Sequence, residues 1–252
     1  MKNEELKMTY CLAIHVEGGL VFCSDSRTNA GTDHVNTYSK MHDFAKPGER
    51  YFCLLSAGNL ATTQVVMQRL RQDLETASAR SLWTVKTLAE AADYVGWVNA
   101  DTQRVQSSRD TANTVFEATF ILGGQIAGEA PGIYMVYPQG NYIHESAEHP
   151  FLQIGEIKYG KPILDRVVQS GISLEMAARC ALVSMNSTIR SNLTVGPPVE
   201  LALYHNDAME KGEYLSCSED DCLYKSIADG WSAGLARALD ELPHFPWEDA
   251  PL

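Results

Sequence analysis

Gly19-Leu20-Val21-Phe22-Cys23-Ser24-Asp25-Ser26-Arg27-Thr28 is the stretch on which the fold turns. Its first half is an apolar run; its second half gathers charge and hydroxyl groups. Just before it, Glu17-Gly18-Gly19 supplies a turn. Earlier still, Tyr10, Leu12, Ile14 and Val16 alternate with Cys11, Ala13 and His15 over residues 9–16. Alternation with a period of two reads as a strand, and two such runs about a glycine turn read as a hairpin. Antiparallel pairing then sets Thr9 opposite a residue between Asp25 and Thr28. A hydroxyl at the start of one strand therefore meets the polar end of the next.

Working outward, Lys40 in Tyr38-Ser39-Lys40-Met41 can reach the same place from the following segment. Residues 51–57 carry a continuous apolar run, Tyr51 to Leu55, that ends at Ser56-Ala57-Gly58, which suggests a strand covered on both faces. Asn59 is placed to cap a helix on which Thr63, Val66, Met67, Leu70 and Leu74 recur at helical spacing. A second helix is expected over 83–102, then strands over 115–122 and 133–137 and a short run at Tyr142-Ile143. Gly123-Gly124 reads as a strand terminus or bulge. A helix is expected over 161–169. Another, capped by Ser173, turns Leu174, Ala178, Ala181, Leu182 and Met185 inward. A strand over 199–203 and a last helix carrying Ile227, Trp231, Leu235 and Leu239 complete the chain before a proline-rich tail. Blocks of strands and blocks of helices indicate an α+β fold. With no repeat and no linker, one domain is expected.

The bulk properties narrow the function. The 252 residues suffice for one large core. A net charge of -12 argues against nucleic acid, whose phosphates want a basic surface, and against an anionic membrane. No uncharged apolar run reaches the ~20 residues of a membrane helix, and the first ten residues hold no apolar signal core, so a cytoplasmic location is expected. Cys11, Cys23 and Cys53 lie in apolar runs and read as core residues. Cys217 and Cys222 have no histidine at metal spacing, so no metal site is assigned there.

The polar cluster suits one chemistry. A threonine hydroxyl is a weak nucleophile and needs a base. If threonine is the first residue, its own α-amine serves, with an ordinary pKa of ~7.7–8.0. A lysine cation nearby lowers that value by like-charge repulsion, and an aspartate beside the lysine holds it charged and in place. Yet a threonine at a strand start is commonplace, and an Asp/Lys pair is ordinarily a plain ion pair. Spacing alone leaves both readings open. Ser56-Ala57-Gly58-Asn59, between a strand and a helix, is either a simple turn or an oxyanion site: glycine permits close backbone approach, and helix N-terminal amides favour negative charge.

The run from Gly19 to Thr28 resembles the early signature of proteasome β-subunits: glycine, apolar strand, then Asp-Ser-Arg-Thr. In that family the nucleophilic threonine lies sixteen residues before this aspartate, which here is Thr9. The family's lysine matches Lys40, one residue nearer than usual, and its small-residue oxyanion loop matches Ala57-Gly58. Thr9-Tyr10-Cys11, Ser24 to Gly31, Ser56 to Thr63 and Val195-Gly196-Pro197-Pro198 resemble the bacterial ancestral β-subunit (Anbu) group. The resemblance implies a four-layer αββα sandwich of N-terminal-nucleophile hydrolase type. It also implies self-assembly as a ring or helix and a threonine site needing no cofactor. Catalysis would fall to Thr9, Asp25 and Lys40, with Gly58 as the oxyanion amide and Arg27, Ser191 and Thr194 in support. The expected substrates are peptides or other amides.

Two departures from the family pattern matter. Proteasome β-subunits carry Arg-Asp shortly before a Ser-Gly-Gly segment, and both the aspartate and that serine support the nucleophile. Here Arg190 is followed by Ser191, and Thr194 stands at the serine's place. Met8, not glycine, precedes Thr9. Residues 1–8 are therefore expected to be an extension or propeptide-like segment absent from the mature form, with the domain running over 9–252. The competing expectations are a catalytically silent assembling subunit and an amidase for small molecules.

Overall fold

A computed structural model describes residues 9–29, 35–112, 114–245 and 247–248. Residues 1–8, on which the extension is expected, lie outside them.

The first hairpin forms as its alternation predicts. β1 (Tyr10–Val16) pairs antiparallel with β2 (Gly19–Asp25), with Cys11 opposite Ser24 and Val16 opposite Gly19. The outer neighbours of this pair are β10 (Phe151–Gly155) and β11 (Val199–His205), and β12 (Tyr214–Cys217) extends the far edge. One five-stranded sheet results, in the order β10-β1-β2-β11-β12. A second has the order β5-β6-β7-β8-β9, from Met41–Lys46, Arg50–Gly58, Ala118–Ile126, Gly132–Val136 and Tyr142–His144. A two-stranded ribbon joins β3 (Arg27–Asn29) to β4 (Val35–Thr37).

Three apolar clusters define the layers. One packs α1 (Leu60–Glu75) and α2 (Leu88–Ser107) on the second sheet through residues such as Val66, Leu70, Val95, Phe52 and Leu122. Another packs α3 (Lys161–Val167), α4 (Leu174–Ser191) and the start of α5 (Cys222–Asp240) on the first sheet. The third lies between the sheets: Cys11, Ala13 and Phe22 from one meet Tyr51, Cys53, Leu55 and Ile121 from the other. A strand alternates its side chains between faces, so a sheet buried on both faces supplies two cores. The architecture is the expected α+β, four-layer αββα arrangement.

Several boundaries differ from expectation. The second helix begins at Leu88 and not at 83, because Thr87 caps it by accepting from the Glu90 N–H at 3.1 Å. β7 begins at Ala118, after an irregular segment whose Val115 and Glu117 carbonyls bind Asn59. Gly123 and Gly124 are not a terminus but lie inside β7. A Cβ on Gly123 would come within 2.5 Å of the Phe22 ring, and one on Gly124 within 2.0 Å of the Tyr51 carbonyl. β3, β4, β5, β10 and β12 are short or mixed in polarity and give no period to read. On α5 the line from Ile227 through Leu239 turns outward toward its end, where Leu239 is 68% exposed.

Candidate active site

Thr9 sits at the mouth of the first sheet, buried and held on both sides. Toward β2, the next residue's N–H, that of Tyr10, donates to Asp25 Oδ1 at 3.0 Å. Toward β10, the Thr9 carbonyl accepts from the Glu156 N–H at 2.8 Å. Gly155, opposite Tyr10, adopts φ +82, and a Cβ there would lie 2.0 Å from the Thr9 carbonyl oxygen. Only glycine lets the two backbones approach so closely.

Asp25 is fully buried and has three donors around it. Lys40 Nζ donates to Oδ1 at 2.6 Å, beside the Tyr10 amide, and the Gly196 amide donates to Oδ2 at 3.2 Å. Burial pushes the carboxyl upward, against the pull of the Lys40 ammonium and the two amides. Every polar neighbour is a donor, so the group that fits is the acceptor-only carboxylate. Lys40, also buried, spends a second proton on the Arg27 carbonyl at 2.7 Å. Its own carbonyl accepts from the Ser56 N–H at 3.0 Å, and Ser39 Oγ donates to Glu200 Oε1 at 2.9 Å. The lysine is thus pinned at backbone and ammonium alike.

Gly58 ends β6 with φ +110, and a Cβ on it would come within 2.4 Å of the Glu117 carbonyl. Ser56 donates toward Lys40 on the β5 side, and Asn59 donates to Glu117 on the β7 side at 2.9 Å. Successive amides along a strand alternate sides, so the Gly58 N–H points as Ser56 does, past the end of β5. There it faces a cavity of about 1610 Å³ lined by Thr9, Lys40, Gly58, His42 and Arg71 among others. Asn59 caps α1, its Oδ1 accepting from the Thr62 N–H at 3.1 Å.

The supporting residues separate. Arg27 donates to the Leu193 carbonyl at 2.8 Å, and the Ser26 and Arg27 amides bind the Gly196 carbonyl. These contacts hold the loop that brings the Gly196 amide to Asp25. Thr194 lies in that loop, its N–H and hydroxyl donating to Asn192 Oδ1 at 2.9 and 2.7 Å. Ser191 is exposed at the end of α4, and among the described residues no hydrogen bond joins it to Thr9, Asp25 or Lys40. Sequence reading missed Gly196, Glu156 and Glu200. Glu200 is a buried carboxylate that accepts from Ser39 and, at 2.6 Å, from Tyr214. A glutamate in the middle of an apolar strand was its only signal. Burial pushes the Cys11, Cys23 and Cys53 thiols far up, so they stay protonated. Among the described residues no group of His, Cys, Asp and Glu side chains is arranged to hold a metal, and no helix is long and apolar enough to cross a membrane. His34, which with His42 flanks Lys40 in the sequence without metal spacing, lies outside the described residues.

Comparison with known proteins gives the chain its relatives. The profile of the proteasome subunit family matches residues 7–203. Anbu, the ancestral β-subunit, from Yersinia bercovieri is 41% identical with a TM-score of 0.89, over 94% of this chain and 99% of that one. The helical assembly of the Anbu complex from Pseudomonas aeruginosa is 46% identical with a TM-score of 0.90, over 96% and 100%. A Gly-1 mutant of Anbu from Hyphomicrobium sp. strain MC1 is 41% identical with a TM-score of 0.88, over 94% and 99%. A search of curated proteins finds no match.

Proposed function

The chain belongs to the proteasome subunit family, in its Anbu group, and on that premise we propose that it is a threonine hydrolase acting on peptide or other amide bonds. The observation that carries this is the buried Lys40–Asp25 pair, locked at 2.6 Å and bonded to the amide of Tyr10, the residue after Thr9. An isolated buried ion pair is costly to keep. Here it sets a fixed cation in the wall of the cavity that Thr9 also lines, where in a chain beginning at Thr9 it would act on the α-amine.

In such a chain the α-amine takes the Thr9 hydroxyl proton while Oγ bonds to the substrate carbonyl carbon. Lys40 keeps the amine's pKa near working pH. The Gly58 amide receives the developing oxyanion, a contribution of ~3–4 kcal/mol for one such donor. The C–N bond breaks as the amine's proton passes to the leaving nitrogen. Water, deprotonated by the same amine, then cleaves the Thr9 ester. Residues 1–8 must be absent for this, since a peptide nitrogen is no base. Because the Pseudomonas relative forms a helical assembly, self-assembly of this chain is part of the proposal.

The test is intact mass after incubation with a threonine-directed epoxyketone. A chain starting at Met8, with its methionine removed, gains the probe's mass; the full chain and a Thr9→Ala variant do not. No gain in any of them, with Thr9 shown to be first, would reject the hydrolase in favour of an assembling subunit without this chemistry.

A further inference from the structure

Asp25 is one of two buried carboxylates beside Thr9; the other is Glu156. It follows β10 directly and lies across from Thr9, to whose carbonyl its N–H donates at 2.8 Å. Glu156 is only 8% exposed. Its Oε2 accepts from Asn192 Nδ2 at 3.1 Å, with Lys158 Nζ 3.6 Å away. The Asn192 amide cannot turn round: its Oδ1 already takes two donors from Thr194, which leaves Nδ2 for the carboxylate. Glu156 is therefore tied at its backbone to the candidate nucleophile. Its side chain is tied to the loop that carries Gly196, the amide donor of Asp25.

We propose that Glu156 is a positioning residue for the amino terminus of the mature chain, its fixed negative charge holding the Thr9 α-ammonium in place. This rests on the reading of Thr9 as a first residue. The other charged groups nearby have their own partners: Lys40 pairs with Asp25, Arg27 donates to the Leu193 carbonyl, and Lys158 lies 3.6 Å from Glu156. Asp25 is already engaged by Lys40 at 2.6 Å. The Lys158 side chain is 65% exposed, where water screens it. Glu156 thus provides the anion that offsets the amine's charge. An opposite charge favours the charged form and raises the amine's pKa, countering Lys40, which lowers it. The two together set the pH at which the amine becomes a base.

The experiment is a pH titration of the α-amine in chains that begin at Thr9, by competitive acetylation with acetic anhydride read by peptide mass spectrometry. It needs no enzyme activity. Failure of the epoxyketone reaction would sink the hydrolase reading, while the amine's titration would still report on Glu156. Glu156→Gln is expected to lower the amine's pKa by about 0.5 unit or more. Glu156→Asp, which draws the charge back by one methylene, lowers it by less. An unchanged pKa in either folded variant overturns the proposal, as does an equal fall in both, which would mark a structural role. Thermal melting identifies the folded variants; where only one folds, a fall in its amine pKa bears the proposal out and an unchanged value overturns it.

Discussion

At the scale of single residues, the site is a problem of placing donors. Asp25 has two oxygens and finds three donors for them, Lys40, Tyr10 and Gly196. Removing one partner of such a buried pair leaves an uncompensated charge, at a cost of ~3–5 kcal/mol. His42 shows the opposite situation. It lines the cavity, and burial together with the Arg71 cation draws its pKa down from 6.5 to about 4. The unfolded chain binds a proton there below pH 6.5 and the folded chain does not. The folded state is therefore favoured fully above pH 6.5 and loses that advantage as pH falls toward 4. Thermal melts between pH 7 and pH 4 should show His42→Gln with a flatter decline than the parent chain. Identical slopes would mean that His42 titrates normally. Ser191 and Glu156 make the complementary point about legibility. Ser191 was read as a supporting position from its place after Arg190, and it lies exposed. Glu156 was passed over because a glutamate after Ile154-Gly155 carries no local pattern.

At the scale of elements, legibility followed the strength of local signals. The first hairpin, the Asn59 cap and the Ser173 cap were readable because each is decided within a few residues of chain. The second helix was started too early even though Thr87-Leu88-Ala89-Glu90 has the Thr-x-x-Glu form of a capped N-terminus. The apolar Trp83 and Val85 precede that cap and join the core on which α2 packs from the preceding turn. Asn59 matters beyond α1, since its Nδ2 also holds the Val115 carbonyl at 3.0 Å and so fixes the approach to β7. Asn59→Ala should cost about 1 kcal/mol from the cap, with more from the lost Val115 contact. A urea denaturation midpoint measures it. A midpoint unchanged from the parent would show that neither contact stabilises the fold.

At the scale of the whole molecule, three cores are stacked so that each sheet belongs to two of them. Phe22 is the clearest link: it projects from the first sheet onto the bare backbone of Gly123 in the second. Phe22→Ala should destabilise the protein by ~3–5 kcal/mol, in one cooperative transition seen alike by far-ultraviolet circular dichroism and tyrosine fluorescence. Two separate transitions would mean that the sheets fold independently. The chain itself determined the hairpin, the meeting of Thr9 with the polar end of β2, the α+β order of blocks and the glycine at the end of β6. Each follows from alternation, caps or a short turn, which act between neighbours in sequence. The tertiary structure alone decided that Lys40 closes on Asp25, that Gly196 donates to it from 171 residues away, and that Glu156 lies across from Thr9. Those contacts depend on which strands become neighbours in a sheet and how closely two sheets pack. Such choices are set by the summed burial of distant segments, and no period or spacing within one segment records them.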